Sequence, residues 1–547
     1  MQDLRKRTKT TMTTVSDTSQ DAQTNDLENA LRSLGAFENE EELAHRESVL
    51  AKLDGICQTW IEQQFCDQPR SPLADEKTPT GKTFPFGSHK LGVNCPGGDV
   101  DVLLVLPIHV KRRAVFSSLL QTLKTTSGIE NVQAVPEAYV PVMKMRVDGV
   151  NIDLIFAFTS LTTLSDNFDP QTIANSTPTL DPRCVRSING YVVTEEILRL
   201  VPNHLTFQLA LRTIKTWAKR RGLYSNLMGF LGGVSWTILV ADVCRHHPHA
   251  PTSYLVRRFF KLHAMWKWPR PIALKPMGTP DFQLGQAQWD PRVNPHDAYH
   301  LMPILTPATP RQNSSYNVTV SAGKVMREEF CRGLRIATDI ADGKSTWLEL
   351  FQEADFLRRY QNFVVVKVAG DIRWTSFVET KLRFLVQCLE KYPDIDRAHV
   401  NTQRWKIPEA AKESSAKGKS LSTGWILGIE FHHQPRRLDE GINEFVDSVC
   451  AQARRGRLWK VGMTVEVQQA KQRELKNHLW LETSSKREDH GHSTPLPGKM
   501  LQEGVVQETK EEAASGDPTT GHVAARKRAH STSSLGPEKD FCNKRSN

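Results

Sequence analysis

The stretch from Phe84 to Pro107, FPFGSHKLGVNCPGGDVDVLLVLP, places the tightest limit on what this chain can fold into. Val100 to Leu106 reads as an apolar strand, yet two carboxylates, Asp99 and Asp101, stand at its start. Side chains alternate across a strand, so both acids point the same way. Val100, Val102, Leu104 and Leu106 on the opposite face, with Leu103 and Val105, anchor the strand in a core. Burying a carboxylate is costly unless it is paired, hydrogen-bonded or bound to a metal. The pair therefore demands a purpose.

A third acid lies downstream in VPVMKMRVDGVNIDLIFAF. Two apolar runs flank Asp148-Gly149, a strong hairpin signal, and the second run carries Asp153. If that strand lies beside the first, three carboxylates converge. Such a set suits hard divalent cations: Mg²⁺ takes oxygen ligands and commonly combines few carboxylates with substrate phosphates. Two such ions activate an attacking hydroxyl and stabilise a leaving pyrophosphate oxygen. Gly87-Ser88 sits between the strand-like FPF and a turn containing Gly92, Gly97 and Gly98. A glycine there lets the backbone approach a phosphate, which the Ser hydroxyl and backbone N–H would bind. The plainer alternative is that the acids merely open a strand near a turn. The Gly-Ser pair eleven residues upstream and the strand-borne third acid weigh against it.

A second constellation is TFQLALRTIKTWAKRRGLYSNLMGFLGGVSW. Phe207, Ala210, Leu211, Ile214, Trp217 and Ala218 form the apolar stripe of a helix ended by Gly222. Arg212, Lys215 and Lys219 share another face, either as a solvated basic surface or as a row of cations meeting a triphosphate. Tyr224, Asn226 and Gly232-Gly233 would suit a base pocket, though spacing alone does not establish one.

The 547 residues allow about three domains. Hydrophobic content of 39% and charged content of 24% are those of a globular protein. The net charge of +10 suits a polyanionic partner without requiring one. Nine cysteines with no C-x-x-C pair read as thiols in a reducing compartment and define no zinc site. No apolar run is long enough to span a membrane, and the N-terminus lacks a signal-peptide core, so an intracellular location without a membrane partner is expected.

Residues 1–24 are polar and expected to be disordered. Residues 25–64 read as helical, an α/β block runs over 65–200, and a helical, loop-rich block over 201–355. From Phe363 the order is β-α-β-β-α-β, ferredoxin-like, within 356–482. The polar loop KIPEAAKESSAKGKSLST separates its central strands. Residues 483–547 lack the apolar content for a core and are expected to be disordered; Arg526-Lys527-Arg528 and Lys544-Arg545 suggest nuclear import.

The runs FGSHKLGVNCPGGDVDVLLVLP, IDLIFA, SINGYVVTEEILRLVPN, LRTIKTWAKRRGLYSNLMGFLGGVSW, MWKWPRPIALK and YHLMPILTPATPRQNSSYNV, in that order, closely resemble the eukaryotic nuclear poly(A) polymerases of the nucleotidyltransferase superfamily. The likeness runs from about Leu27 through Trp480. It implies an α+β protein with a palm-like nucleotidyltransferase domain, a helical central domain, an RRM-like RNA-binding domain and a disordered tail. The N-terminal helices would pack with the central domain. It implies transfer of AMP from ATP to RNA 3′ ends, with two Mg²⁺ (or Mn²⁺) held by Asp99, Asp101 and Asp153. Phe86, Gly87 and Ser88 would line the nucleotide site, with Asn189 beside it. Lys215 and Tyr224 would contact the triphosphate, with Lys219 near them, and Asn226, Gly233 and Val234 would face the base. Expected partners are ATP, the RNA 3′ end and 3′-end processing factors in the nucleus, with no DNA. The departures are His89-Lys90 where Tyr-Arg is usual, and Cys95 where a nucleotide-contacting Thr is usual. No aromatic RNP1 motif stands in the C-terminal block. A related transferase using UTP or CTP, and an inactive RNA-binding scaffold, are the competing readings.

Overall fold

The computed structural model describes residues 21–66, 80–174, 181–279, 288–408, 421–434 and 437–478. The apolar run at Val100–Leu106 is β2 of a five-stranded sheet with β1 (Lys82–Phe86), β3 (Ile129–Val135), β4 (Val142–Val147) and β5 (Val150–Phe158). The order is β1-β2-β5-β4-β3, in which β2 and β5 run parallel and the other neighbours antiparallel. Asp148 (φ 43°) and Gly149 (φ 88°) are both left-handed, as a two-residue type I′ hairpin requires, and they join β4 to β5.

Two helices precede the sheet. The first, α1 (21–33), places Leu27 and Leu31 in the core of the central helices, and Trp347 donates its indole N–H to the Gln23 carbonyl at 2.9 Å. Residues 21–24 are thus helical and packed, which corrects the expected disorder over 1–24; residues 1–20 lie outside the described residues. After Gly35, left-handed at φ 64°, α2 (Glu40–Cys66) packs Leu53, Trp60 and Ile61 against Val100, Val102, Leu104 and Leu106 of β2. The expectation that the N-terminal helices pack with the central domain is therefore corrected for α2. Its apolar stripe covers the sheet face that water would otherwise meet. Leu103 and Val105, on the other face, join the core that includes Ile188 and Val192 of a helix over Pro182–Leu200, here α4; the broken helix over 112–125 is α3.

The central layer consists of α5 (His204–Arg220), α6 (Gly233–His246), α7 (Thr252–Ala264) and α8 (Val320–Ala341). Asn203 caps α5 by accepting the Thr206 N–H, and Gly222 (φ 70°) follows its end. Trp217, Trp236, Phe259, Phe260 and Phe330 interlock these helices edge to face, with Trp217 and Phe260 centroids 4.9 Å apart.

The C-terminal sheet contains β6 (Asn362–Ala369), β7 (Ile395–Val400), β8 (Trp405–Pro408), β9 (Leu421–Phe431) and β10 (Thr464–Lys471). The β-α-β-β-α-β order is present, with α9 (Ile372–Glu390) and α10 (Asp439–Arg455) as its helices. The extra strand β8 pairs with the start of β9, so part of the stretch read as a loop is ladder; residues 409–420 lie outside the described residues. Val364, Val366 and Val368 of β6 face the core shared with α9 and α10. Phe363 and Val365 face Phe356, Tyr360 and Leu475, the last on α11 (Gln472–His478). The second face is thus covered around Phe363 and Val365, while β10 leaves Thr464, Glu466, Gln469 and Lys471 exposed. Residues 479–547, including the tail expected to be disordered, lie outside the described residues. Among the described residues no helix is long and apolar enough to cross a membrane.

Candidate active site

The parallel pairing of β2 with β5 sets Asp101 directly opposite Asp153, on strands about 4.8 Å apart. Asp99 immediately precedes β2 and shares a face with Asp101. Asp153 is buried and ion-paired: Lys144 of β4, its partner in antiparallel register, donates Nζ to Oδ2 at 2.6 Å. The sequence reading missed Lys144. Counting outward from the Asp148-Gly149 turn would have found it, since residue 144 then faces residue 153.

Gly87 has φ 65°, and a Cβ there would sit 2.5 Å from Asp101 Oδ2. Its glycine identity makes room for the acid. The Gly87 N–H donates to Thr194 Oγ1 of α4 at 3.2 Å. A helix hydroxyl thus already accepts the Gly87 N–H, which is distinct from the Ser88 hydroxyl and N–H that the sequence reading offers to a phosphate. The Ser88 carbonyl accepts the Val93 N–H at 3.0 Å, tying the turn. Phe86 is buried, its ring against Gly190 on α4.

Among the described residues, no group of three or more His, Cys, Asp or Glu side chains stands ready to hold a metal ion. The donor set nevertheless fits a hard divalent cation in kind, being three carboxylates, and in placement, through the Asp101–Asp153 register. Ligation by Asp153 would require release from Lys144.

The three cations of α5 separate in role. Arg212 is buried and donates Nη1 to the carbonyls of Ala36 and Asn94 and Nη2 to that of Gly92 at 2.9 Å. It ties the 92–94 loop to α5, which corrects both sequence readings of it, as a solvated cation and as a phosphate contact. Lys215 is buried as well, with Nζ 3.4 Å from the Val93 carbonyl it donates to. Burial lowers its pKa to about 8, while Cys95 and Asp99 act in the opposite sense. Lys219 is exposed, its Nζ 5.5 Å from the centroid of Tyr224. Burial raises the Tyr224 phenol pKa, and Cys95, Asp99 and Asp101 push it further up. Lys215, Tyr224, Cys95 and the acid pair thus share one electrostatic environment.

Beyond Tyr224 lies the start of α6. A Cβ on Gly233 would sit 2.7 Å from the Tyr224 hydroxyl, and Val234 beside it is 47% exposed. The side-chain carbonyl oxygens of Asn226 and of Asn189 on α4 are buried acceptors with no hydrogen-bond partner among the described residues. A buried acceptor left in this way is costly unless a ligand or water meets it. Asn317, which the sequence reading also missed, donates Nδ2 to the Asn226 backbone carbonyl at 3.2 Å and so backs that residue.

This arrangement coincides with matches to three described domains: the poly(A) polymerase nucleotidyltransferase domain over residues 8–201, the poly(A) polymerase central domain over 206–353, and the poly(A) polymerase predicted RNA binding domain over 355–419. A poly(A) polymerase of Candida albicans, PAPalpha, is 36% identical over 73% of this chain and 72% of its own length. The chain belongs to the poly(A) polymerase family. Nuclear poly(A) polymerase 1 of Arabidopsis thaliana is 36% identical over 84% of this chain, and poly(A) polymerase of Dictyostelium discoideum 37% identical over 74%. The chain spans 64% and 50% of the lengths of those two poly(A) polymerases. Among solved structures, the Cid1 poly(U) polymerase covers 61% of this chain and 99% of its own, at 14% identity and a TM-score of 0.40, too distant a likeness to bear on function.

Proposed function

We propose that the protein extends RNA 3′ ends in the nucleus by transferring AMP from ATP and releasing pyrophosphate. The observation that carries this reading is the Asp101–Asp153 register with Asp99 beside it, close to a buried Lys215 and a half-buried Tyr224. Asp99, Asp101 and Asp153 would hold Mg²⁺ or Mn²⁺, which when bound would activate the 3′-hydroxyl and neutralise charge on the leaving pyrophosphate. Lys215 would meet the triphosphate from within a buried setting, where its charge acts at low screening. Tyr224 would donate a hydrogen bond from its phenol O–H to the same group, since its raised pKa keeps it protonated. Lys219, exposed at the mouth, would add charge there.

Asn226 and Asn189 would receive donors from the nucleotide. A carboxamide oxygen accepts from an exocyclic amino group such as adenine N6 and is repelled by the keto oxygen of a uracil-type base. Gly233 and Val234 would lie along the base, Phe86 would shape the wall, and Gly87-Ser88 would set the position of Asp101. We assign 21–66 to the N-terminal helices, 67–200 to the catalytic domain, 201–355 to the central domain and 356–482 to the RNA-binding domain. The RNA 3′ end is the acceptor, and 3′-end processing factors would recruit the enzyme.

The test is extension of an unstructured RNA primer with each nucleoside triphosphate in turn, with pyrophosphate measured. ATP should give long tails and one pyrophosphate per residue added. Extension by UTP or CTP in preference would assign the chain to the related transferases. No extension and no pyrophosphate with any nucleotide would leave an RNA-binding scaffold.

A further inference from the structure

Between Asp242 and Asp281 the sequence holds no Asp or Glu, yet it carries seven Lys or Arg. Two of these draw on carboxylates outside the stretch: Arg245 pairs with Asp242 at 3.3 Å, and Lys275 with Glu196. The other five, Arg257, Arg258, Lys261, Lys267 and Arg270, have no carboxylate partner among the described residues. Four of them line one concave site with Leu262, Met265 and Trp266, a cleft of about 360 Å³ at the C-terminal end of α7 and the turn after it.

Local structure accounts for where these side chains lie but not for their charge. Lys261, in the last turn of α7, complements the helix dipole. Arg270 lies 5.3 Å from the Trp266 ring centroid, and the Trp266 indole N–H donates to the Arg270 carbonyl at 2.8 Å. Arg258 donates Nε to His247 Nε2 at 3.2 Å. Apart from the helix dipole at Lys261, none of these contacts supplies a negative charge. Like charges this concentrated repel one another, and a polyanion relieves that repulsion while releasing its own counterions. The apolar part is equally open: Met265 is 69% exposed and Trp266 half-buried. A cationic groove with an aromatic platform is the composition that binds single-stranded nucleic acid.

We propose that this cleft binds single-stranded RNA upstream of the 3′ end being extended, an inference that rests on the proposed function for its choice of polyanion. The cleft belongs to the same helical layer as the nucleotide site: Trp236, in the first turn of α6, packs on Phe259 of α7 at 6.5 Å. None of the acids of the catalytic sheet lines it. The central domain thereby supplies an RNA grip in addition to any that the C-terminal domain offers.

The experiment compares the full chain with Lys261→Ala/Lys267→Ala, both exposed positions, and with Trp266→Ala. Binding of labelled oligoadenylates of about 6 and about 25 nucleotides, bracketing common single-strand site sizes, is followed by anisotropy across salt concentrations, and KM is measured for both. For the long RNA, the double variant should bind roughly tenfold more weakly, and the slope of log affinity against log salt should fall by about 1.4, close to 0.7 per lost contact. Short-primer KM, ATP KM and kcat should not move. Trp266→Ala should weaken long-RNA binding without changing the salt slope. Equal loss for short and long RNA, or no loss for either, overturns the proposal; the latter would assign the cleft to an acidic protein. A wild-type chain that binds long RNA through this cleft but extends no primer would contradict the proposed function and leave the binding site standing.

Discussion

The two five-stranded sheets of this protein solve opposite problems. The C-terminal sheet is sealed at its central strand: valines of β6 alternate between the α9–α10 core on one side and Phe356, Tyr360 and Leu475 on the other. The Tyr360 ring lies against Gly428 of β9, and its hydroxyl bonds His399 Nδ1 at 2.7 Å inside the protein. The catalytic sheet buries its faces as thoroughly, yet at one end of its parallel pair it sets Asp99, Asp101 and Asp153. Ladder order alone does not separate a reactive sheet from a structural one. What separates them is whether charge is admitted where strands end, and whether the surrounding chain closes over it.

The largest expected effect comes from removing the charge from the open end. Asp101→Ala should lower the extension rate at least a thousandfold, a loss of about 4 kcal/mol in transition-state stabilisation, with the far-UV circular dichroism of wild type. Near-normal rates would show that the acid pair only opens a strand. The converse perturbation strikes the sealed sheet. Gly428→Ala drives a methyl into the Tyr360 ring and should cost about 1–3 kcal/mol of stability, read as a lower Tm. At a temperature where the variant remains folded, primer extension should be unchanged. A variant that kept its Tm but lost extension would place function in the sheet that the comparison treats as structural.

Smaller effects sharpen the catalytic side. Asn226→Ala removes a buried acceptor and should erode the preference for ATP over UTP by roughly 1–3 kcal/mol in relative kcat/KM. A uniform slowing with all four nucleotides would move discrimination elsewhere. The pH dependence follows from Lys215, whose pKa burial lowers to about 8. The protonated amine grips a triphosphate, so the KM for ATP should rise severalfold as pH climbs through about 8. Lys215→Met should have a high KM that is flat over that range, while a wild-type KM independent of pH would remove this lysine from the triphosphate.

Much of the catalytic sheet was legible because its signals are local. The apolar run Val100–Leu106 placed β2, and Asp148-Gly149 fixed the hairpin and with it the strand that carries Asp153. Features that depend on distant segments were not legible. Helical periodicity put Arg212 and Lys215 on one face but could not say that the 92–94 loop would cover it, turning one cation into a structural tie and burying the other. The sealing of the C-terminal sheet was missed because Phe356, Tyr360 and Leu475 come from outside the β-α-β-β-α-β unit. Strand β8 was too short, and too close to a polar stretch, to stand out. Lys144 was within reach of counting alone, and went unnoticed because a lysine on a strand reads as a solvent-facing residue.

The most direct test of the open sheet end is where a divalent ion goes. Crystals grown with Mn²⁺ and a non-hydrolysable ATP analogue would be examined by anomalous scattering. The account predicts manganese coordinated by Asp99, Asp101 and Asp153, with the Lys144 ammonium turned away from Asp153 and the triphosphate against Lys215. Manganese absent from these carboxylates, with Asp153 still paired to Lys144 while the analogue is bound, would contradict it.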